Sequence, residues 1–428
     1  MDIKQLHQLF LQSSGVSTDT RKIKNNSIFF ALKGENFNGN TFASKAISLG
    51  AQYAIIDESE HKESDYHILV ENVLETLQNL ASFHRDYLNI PIVALTGSNG
   101  KTTTKELINA VLSTTYKTTA TIGNLNNHIG VPLTLLSMDN YTEIGIVEMG
   151  ANHHKEIALL SSIAKPDIGV ITNFGKAHLE GFGSLEGVVK AKSELYDYLK
   201  SDNKTILVNS EDPKQIELTK DYAKTINFGS EVNTSYYTTF KSANPLVEID
   251  FNHLIVKSQL TGSYNYTNIA IATAMGLYFK INPDDIKSGI EHYLPTNNRS
   301  QIIKKGANTI LLDAYNANPS SMMAALQNLK QIQAKQKTIV LGDMFELGND
   351  SKIEHEGIVN YIEAEFPDST TYLVGAHFHN VKTKSKHIKQ YKTFEDFLSH
   401  FKTISVEDNF ILIKGSRGMA LERLLDTL

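Results

Sequence analysis

Residues 90–112 read IPIVALTGSNGKTTTKELINAVL. An apolar, β-branched run bounded by Pro91 and Gly97 gives way, across two glycines, to a segment with helical periodicity. Strand, glycine turn and helix in that order make a phosphate site. Gly97, Ser98, Asn99 and Gly100 let backbone N–H groups turn inward, and the start of the helix adds positive potential. Lys101 can neutralise terminal phosphates, and the hydroxyl of Thr102, followed by Thr103, can ligate Mg²⁺. The spacing departs from the strict GxxxxGK[ST] pattern, because Leu95 stands where the first glycine would be and the nearest glycine is Gly97. Phosphate binding alone does not separate a ligase from a kinase or a motor ATPase, so other residues must decide the chemistry.

Working outward, runs suited to buried parallel strands follow at EIGIVEMG, DIGVITNFG and KTILVN, separated by stretches long enough for crossover helices. This pattern predicts a central, doubly wound, P-loop-type parallel sheet domain over residues 89–294. Residues 227–260 are less regular and read as extra strands, and GSYNYTNIAIATAMGLYF reads as a helix closing that domain. Before Pro91, SIFFAL, AQYAIID and HILV alternate with helical patterns, giving a small N-terminal α/β domain over 1–88. From Pro295, TILLDAY, TIVLGDM, TTYLVG and NFILIKGS alternate with helical segments, giving a C-terminal Rossmann-like α/β domain over 295–428 that ends on a helix, MALERLLDTL. No internal repeat or low-complexity tract interrupts this order.

Composition agrees with several domains and narrows the function. A chain of 428 residues exceeds what one core usually organises. The formal charge of −6 is spread without a basic block, which argues against a nucleic-acid partner and for small molecules. With no cysteine, disulfides, thiolate nucleophiles and cysteine-zinc sites are excluded. The first residues, MDIKQLHQLF, lack the continuous apolar core of a secretory signal, and the longest apolar run, Ile269 to Phe279, is too short for a bilayer. A cytoplasmic monomer without membrane insertion is expected.

GSNGKTTTK resembles the phosphate loop of the Mur ligase family, and the resemblance continues through TIGNLNNHIGVPLT, VEMGANHHKEI, NFGKAHLEGFGS, VKAKSEL, DAYNANPSS, GDMFELG and KGSRG. STDTR near the N-terminus resembles the uridine-side domain of that family. The resemblance implies three domains, for the UDP-sugar end of the substrate, for ATP, and for the incoming amino component. It implies an ATP-dependent reaction in which a terminal carboxylate becomes an acyl phosphate and is then attacked by an amine. DAYNANP and GDMFELG point to the member that joins D-alanyl-D-alanine to UDP-N-acetylmuramoyl-tripeptide, in peptidoglycan synthesis.

The same resemblance assigns roles. Glu148 matches the family carboxylate that shares Mg²⁺ with Thr102, and His178 matches a ligand of a second Mg²⁺, although so hard an ion prefers oxygen. Lys192 matches the lysine that CO₂ carbamylates, turning a cation that repels Mg²⁺ into an anion with two oxygens. Lys190, two residues away, points elsewhere and is the natural control. Asn268, Arg299 and Asp313 match adenosine contacts, so nucleotide is expected to draw the third domain toward the second. Asn124, Asn126 and Asn127 are expected at the muramyl-peptide or the γ-phosphate, Asn316 and Asn318 at the dipeptide or the nucleotide, and Thr18, Asp19 and Arg21 at uridine. Taken singly, each of these side chains is ordinary for a loop or a helix surface.

Three rival readings share parts of this pattern. A sister ligase that adds one amino acid, or a folylpolyglutamate synthase, shares the ATP machinery but not DAYNANP and GDMFELG. A P-loop NTPase without ligase activity leaves HLEGFGS and the lysine of AKSE without a purpose.

Overall fold

Strand Ile92–Thr96 is buried along its whole length, and its residues alternate between two cores: Ile92 and Ala94 face one, Val93 and Leu95 the other. A strand covered on both faces has to be apolar on both, which is why residues 92–95 read as a continuous run rather than an alternating one. The computed structural model describes residues 1–231, 233–403 and 406–428. In it this strand lies inside a seven-stranded sheet with the order Tyr236–Tyr237, Thr225–Gly229, Thr205–Asn209, Ile168–Ile171, Ile92–Thr96, Ile144–Glu148, Thr118–Ala120. Every pairing is parallel. The chain leaves Ile92–Thr96 toward one edge and returns to its other side at Ile168–Ile171, so the strand order reverses beside it. Ligands of open α/β sheets bind at the carboxyl ends of strands at such a reversal.

Helix Lys101–Leu112 covers one face through Leu107, Ile108 and Val111, alongside helix Asn265–Tyr278. Helices Glu156–Ala164 and Leu185–Ser201 cover the other. The extra strands expected after residue 227 include Thr239–Ala243, Leu246–Phe251 and Leu254–Thr261, a three-stranded antiparallel sheet. Val247, Ile249 and Phe251 alternate into the core.

The N-terminal domain has a four-stranded parallel sheet ordered Val16–Ser17, Ile28–Phe30, Tyr53–Ile56, His67–Leu69. Its long helix, Val73–Leu88, is tied to the central domain through a buried relay: His7 Nε2 lies 3.0 Å from His84 Nδ1, and His84 Nε2 lies 2.9 Å from Met138 O. Burial and the neighbouring His84 push the His7 imidazole down to about 4, and burial lowers His84 as well, so both rings favour the uncharged form.

The C-terminal sheet has six strands ordered Gln301–Lys305, Asn308–Asp313, Asn409–Lys414, Gln336–Gly342, Thr370–Val374, Ile388–Tyr391, parallel except for the first pair. The expected final helix is different: Ala420, at φ +47°, separates two 3₁₀ segments, Arg417–Met419 and Leu421–Thr427. The buried pair Leu421 and Leu424, three residues apart, suits a three-residue turn. Among the described residues no helix is long and apolar enough to cross a membrane.

Candidate active site

The phosphate loop leaves the carboxyl end of Ile92–Thr96 in a conformation only glycine accommodates at two points. Gly97 has φ +148° and Gly100 φ +79°, and a Cβ added at either would come within 2.0 Å of Thr172 Oγ1 or 2.5 Å of Asn268 Oδ1. The loop is fastened to its neighbour: Thr172 Oγ1 donates to Asn99 O at 2.6 Å, Asn99 N donates to Asn173 Oδ1 at 3.0 Å, and Ser98 Oγ pairs with Gly175 at 2.9 Å. Lys101 Nζ donates to Gly97 O at 2.7 Å and so sits over the turn itself. Burial lowers the Lys101 amine from its ordinary range, with the Glu148 carboxylate opposing that effect.

Glu148 ends the adjacent strand and is 1% exposed. Its Oε1 accepts from Thr102 Oγ1 at 3.3 Å and from Asn126 Nδ2 at 2.8 Å, while Oε2 is buried with no hydrogen-bond partner. A buried carboxylate oxygen without a partner is costly unless a cation meets it. With the Thr102 hydroxyl beside it, the pair is an oxygen donor set of the kind Mg²⁺ takes.

A cleft of about 850 Å³ joins these groups, and two domains line it. The central domain contributes Ser98 to Thr103, Asn124, Asn126, Asn127, Glu148, His178 and Asn268, and the C-terminal domain Arg299, Asp313, Asn316, Asn318 and Lys414. The domains touch at the loop, where Asn318 Nδ2 donates to Asn99 Oδ1 at 2.8 Å. Asn318 also caps helix Pro319–Gln331. Further contacts across the boundary are Lys176 Nζ to Glu354 at 2.6 Å, Lys176 N to Ser320 Oγ at 3.0 Å, and His178 with Glu346.

Not every residue singled out from the sequence presents a free group. Asn268 spends its amide internally, accepting from Thr104 Oγ1 at 3.0 Å and donating to Asn265 Oδ1 at 2.8 Å, and it backs Gly100. Asn126 braces Glu148, and Asn127 Oδ1 accepts from Gly130 N at 2.9 Å at the start of helix Gly130–Leu136. Asp313 Oδ2 accepts from buried Lys414 Nζ at 2.6 Å, and Asn316 Oδ1 accepts from Ala317 N at 2.9 Å. Thr18, Asp19 and Arg21 lie in the N-terminal domain and do not line the cleft, and Arg21 Nη2 pairs with Asp19 at 2.7 Å. Lys192 is fully buried on helix Leu185–Ser201, with Nζ 3.3 Å from Ala151 O and 5.2 Å from the centre of the Phe182 ring. Burial first, and Lys101 second, drive its amine well below the ordinary lysine range.

Sequence reading passed over Tyr315, Lys414 and Glu346. Tyr315 lies under two guanidiniums, Arg299 at 3.6 Å and Arg417 at 5.2 Å from the ring centre. The residues stand in DAYNANP, KGSRG and GDMFELG, so the segments were noticed and these side chains were not.

Models of the Mur ligase family match the chain over three stretches: the family catalytic domain over 12–93, the middle domain over 95–276 and the glutamate ligase domain over 298–417. A Bacillus subtilis UDP-N-acetylmuramoyl-tripeptide--D-alanyl-D-alanine ligase is 36% identical over 97% of this chain and 93% of its own length. The chain belongs to the Mur ligase family. Among solved Mur ligases, a crystal structure of MurF from Acinetobacter baumannii superposes with a TM-score of 0.87 at 29% identity, covering 98% of this chain and 97% of that one. MurF from Thermotoga maritima, solved in complex with ADP, gives a TM-score of 0.86 at 27% identity with the same coverage.

Proposed function

We propose that this Mur ligase joins D-alanyl-D-alanine to UDP-N-acetylmuramoyl-tripeptide with ATP, through an acyl phosphate, releasing ADP and phosphate. The observation that carries this reading is one cleft holding both a lysine-tipped phosphate loop and, beside it, a partnerless buried carboxylate oxygen, walled by two domains. Residues 1–88 would take the uridine end, where Thr18, Asp19 and Arg21 lie. Residues 89–294 would bind ATP, and residues 295–428 would bring the dipeptide and part of the nucleotide site through Arg299, Asp313, Asn316 and Asn318. Asn124 lines the cleft beside the phosphate loop and would meet the muramyl-peptide. The enzyme would act as a cytoplasmic monomer.

Transferring a phosphoryl group to a carboxylate brings two anions together, and the chain has to offset their repulsion. Backbone N–H groups of residues 97–102 and the Lys101 ammonium would hold the β- and γ-phosphates. Thr102 and Glu148 would hold one Mg²⁺ and His178 a second, and the ions when bound neutralise charge on the phosphates and carboxylate. A peptide carboxylate oxygen attacks the γ-phosphorus and ADP leaves. The dipeptide amine then attacks the carbonyl carbon and phosphate leaves. Contacts such as Asn318 to Asn99 would keep water from the acyl phosphate.

Lys192 fits a carbamate. Burial favours the uncharged form of this amine, and an uncharged amine adds to CO₂, losing one proton to give a carbamate anion. That anion would lie beside the cleft wall at Ala151.

The test is phosphate release from ATP with the UDP-muramyl tripeptide alone, with D-alanyl-D-alanine alone, and with both. Sustained turnover is expected only with both. Turnover indifferent to either substrate would make the chain an NTPase, and turnover with one amino acid and a shorter peptide would make it a sister ligase.

A further inference from the structure

A dipeptide that gives up its amine to a new peptide bond keeps its terminal carboxylate throughout, and that anion calls for a cation on the wall that receives it. Of the basic side chains in the C-terminal domain, Arg299 and Lys414 line the cleft. Lys414 is already paired, its Nζ 2.6 Å from Asp313 Oδ2. Arg299 falls to the nucleotide in the reading above. Arg417 is the cation still without a task.

Arg417 opens the 3₁₀ segment Arg417–Met419, just past strand Asn409–Lys414. Its guanidinium lies 5.2 Å from the centre of the Tyr315 ring, which also carries Arg299 at 3.6 Å. Tyr315 lines the cleft, so Arg417, itself exposed, stands at the rim. Among the described residues neither guanidinium makes an ion pair, and Nε of Arg299 is buried with no hydrogen-bond partner. Two like charges that share one ring, with no acid beside them, repel each other and are stabilised by incoming anions.

The loop that carries Arg417 is fixed against the segment that carries Tyr315. Ser416 Oγ donates to Ala317 O at 3.4 Å and accepts from Phe345 N at 2.9 Å. Lys414 Nζ donates to Asn316 O at 3.3 Å. The far end of the same segment is Asn318, which touches the phosphate loop at Asn99.

We propose that Arg417 binds the terminal carboxylate of the incoming dipeptide and makes the enzyme demand a free acid there. Tyr315 holds the guanidinium by its face and leaves the N–H edge to donate, as a fork, to both carboxylate oxygens. An extended dipeptide spans at most about 7 Å. Lying along residues 315–318 with its amine toward Asn99, it turns its carboxylate toward the rim. The ring then parts the two guanidiniums, Arg299 for the nucleotide and Arg417 for the dipeptide. This rests on the reading of D-alanyl-D-alanine as the incoming substrate.

The experiment compares D-alanyl-D-alanine with D-alanyl-D-alaninamide, whose terminus is neutral, in the wild type, Arg417→Met and Arg417→Lys. In the wild type kcat/KM should favour the free acid roughly 10- to 100-fold, as hydrogen bonds to a charged group do. In Arg417→Met the preference should collapse to within about threefold, because the acid loses rate and the amide does not. Arg417→Lys, which keeps the charge without the fork, should fall between them. KM for ATP should change little in either variant, and circular dichroism should show both folded, since the side chain is exposed. An acid preference that survives intact in Arg417→Met overturns the proposal, and so does a loss that appears in KM for ATP instead. Wild-type enzyme that turns over neither dipeptide refutes the substrate reading itself, whereas normal use of D-alanyl-D-alanine with an unaltered ratio in Arg417→Met refutes the role of Arg417 alone.

Discussion

Lys192→Ala is expected to lose at least about a hundredfold in kcat and to regain part of it when acetate or formate is supplied. The side chain is wholly buried, so its removal leaves a cavity beside Ala151 that a small carboxylate can enter. A lysine serving only as a structural cation would not be replaced by an anion. Rescue by carboxylates, with amines failing to rescue, therefore reports the sign of the charge the site requires. Lys190 on the same helix is exposed, and Lys190→Ala should retain wild-type turnover. Full activity in unrescued Lys192→Ala would remove the carbamate from the account. Circular dichroism separates loss of function from loss of fold.

Lys101→Ala is expected to cost on the order of 10³-fold in kcat/KM for ATP, about 4 kcal/mol of transition-state stabilisation. The amine donates only within its own loop, to Gly97 O at 2.7 Å and Ser98 O at 3.4 Å, so the fold should tolerate its removal. A bound triphosphate competes for that amine, and the developing charge on the transferring group strengthens the contact. Thermal unfolding within a few degrees of wild type, together with the kinetic loss, is the expected pair of results. A variant that forms product at the wild-type rate would show that phosphate is held in some other way.

The parts of the fold that were legible from sequence are those dictated by local chemistry. Residues 97–100 had to be rich in glycine because the backbone at Gly97 and Gly100 has no room for a Cβ. Residues 92–95, 144–147 and 168–171 had to carry no polar side chain because both faces of their strands are covered. Strand Thr118–Ala120 escaped notice because an edge strand of threonines and alanine, half-exposed, has no hydrophobic pattern to read. The burial of Lys192 did leave a trace. Val188, Leu195 and Leu199 lie at helical spacing on its face of the helix and are buried with it.

Contacts between domains left no trace. Asn99 and Asn318 are 219 residues apart, and neither residue's surroundings name the other. His178 and Glu346 are likewise joined only by the way two turns meet. Asn126, Asn127 and Asn268 show the converse difficulty. The polar run marked Asn126 and Asn127 for substrate or phosphate, and the family resemblance marked Asn268 for adenosine, whereas their amides brace Glu148, accept from Gly130 N at the start of a helix and back the phosphate loop. A polar residue near a site is as readily part of the scaffold as of the binding surface, and only its partners tell which.

The acyl phosphate is the claim on which the rest of the chemistry depends. With ¹⁸O in the terminal carboxylate of the UDP-muramyl tripeptide, the account predicts that each turnover delivers one labelled oxygen into the released inorganic phosphate. Peptide product formed alongside unlabelled phosphate would contradict it.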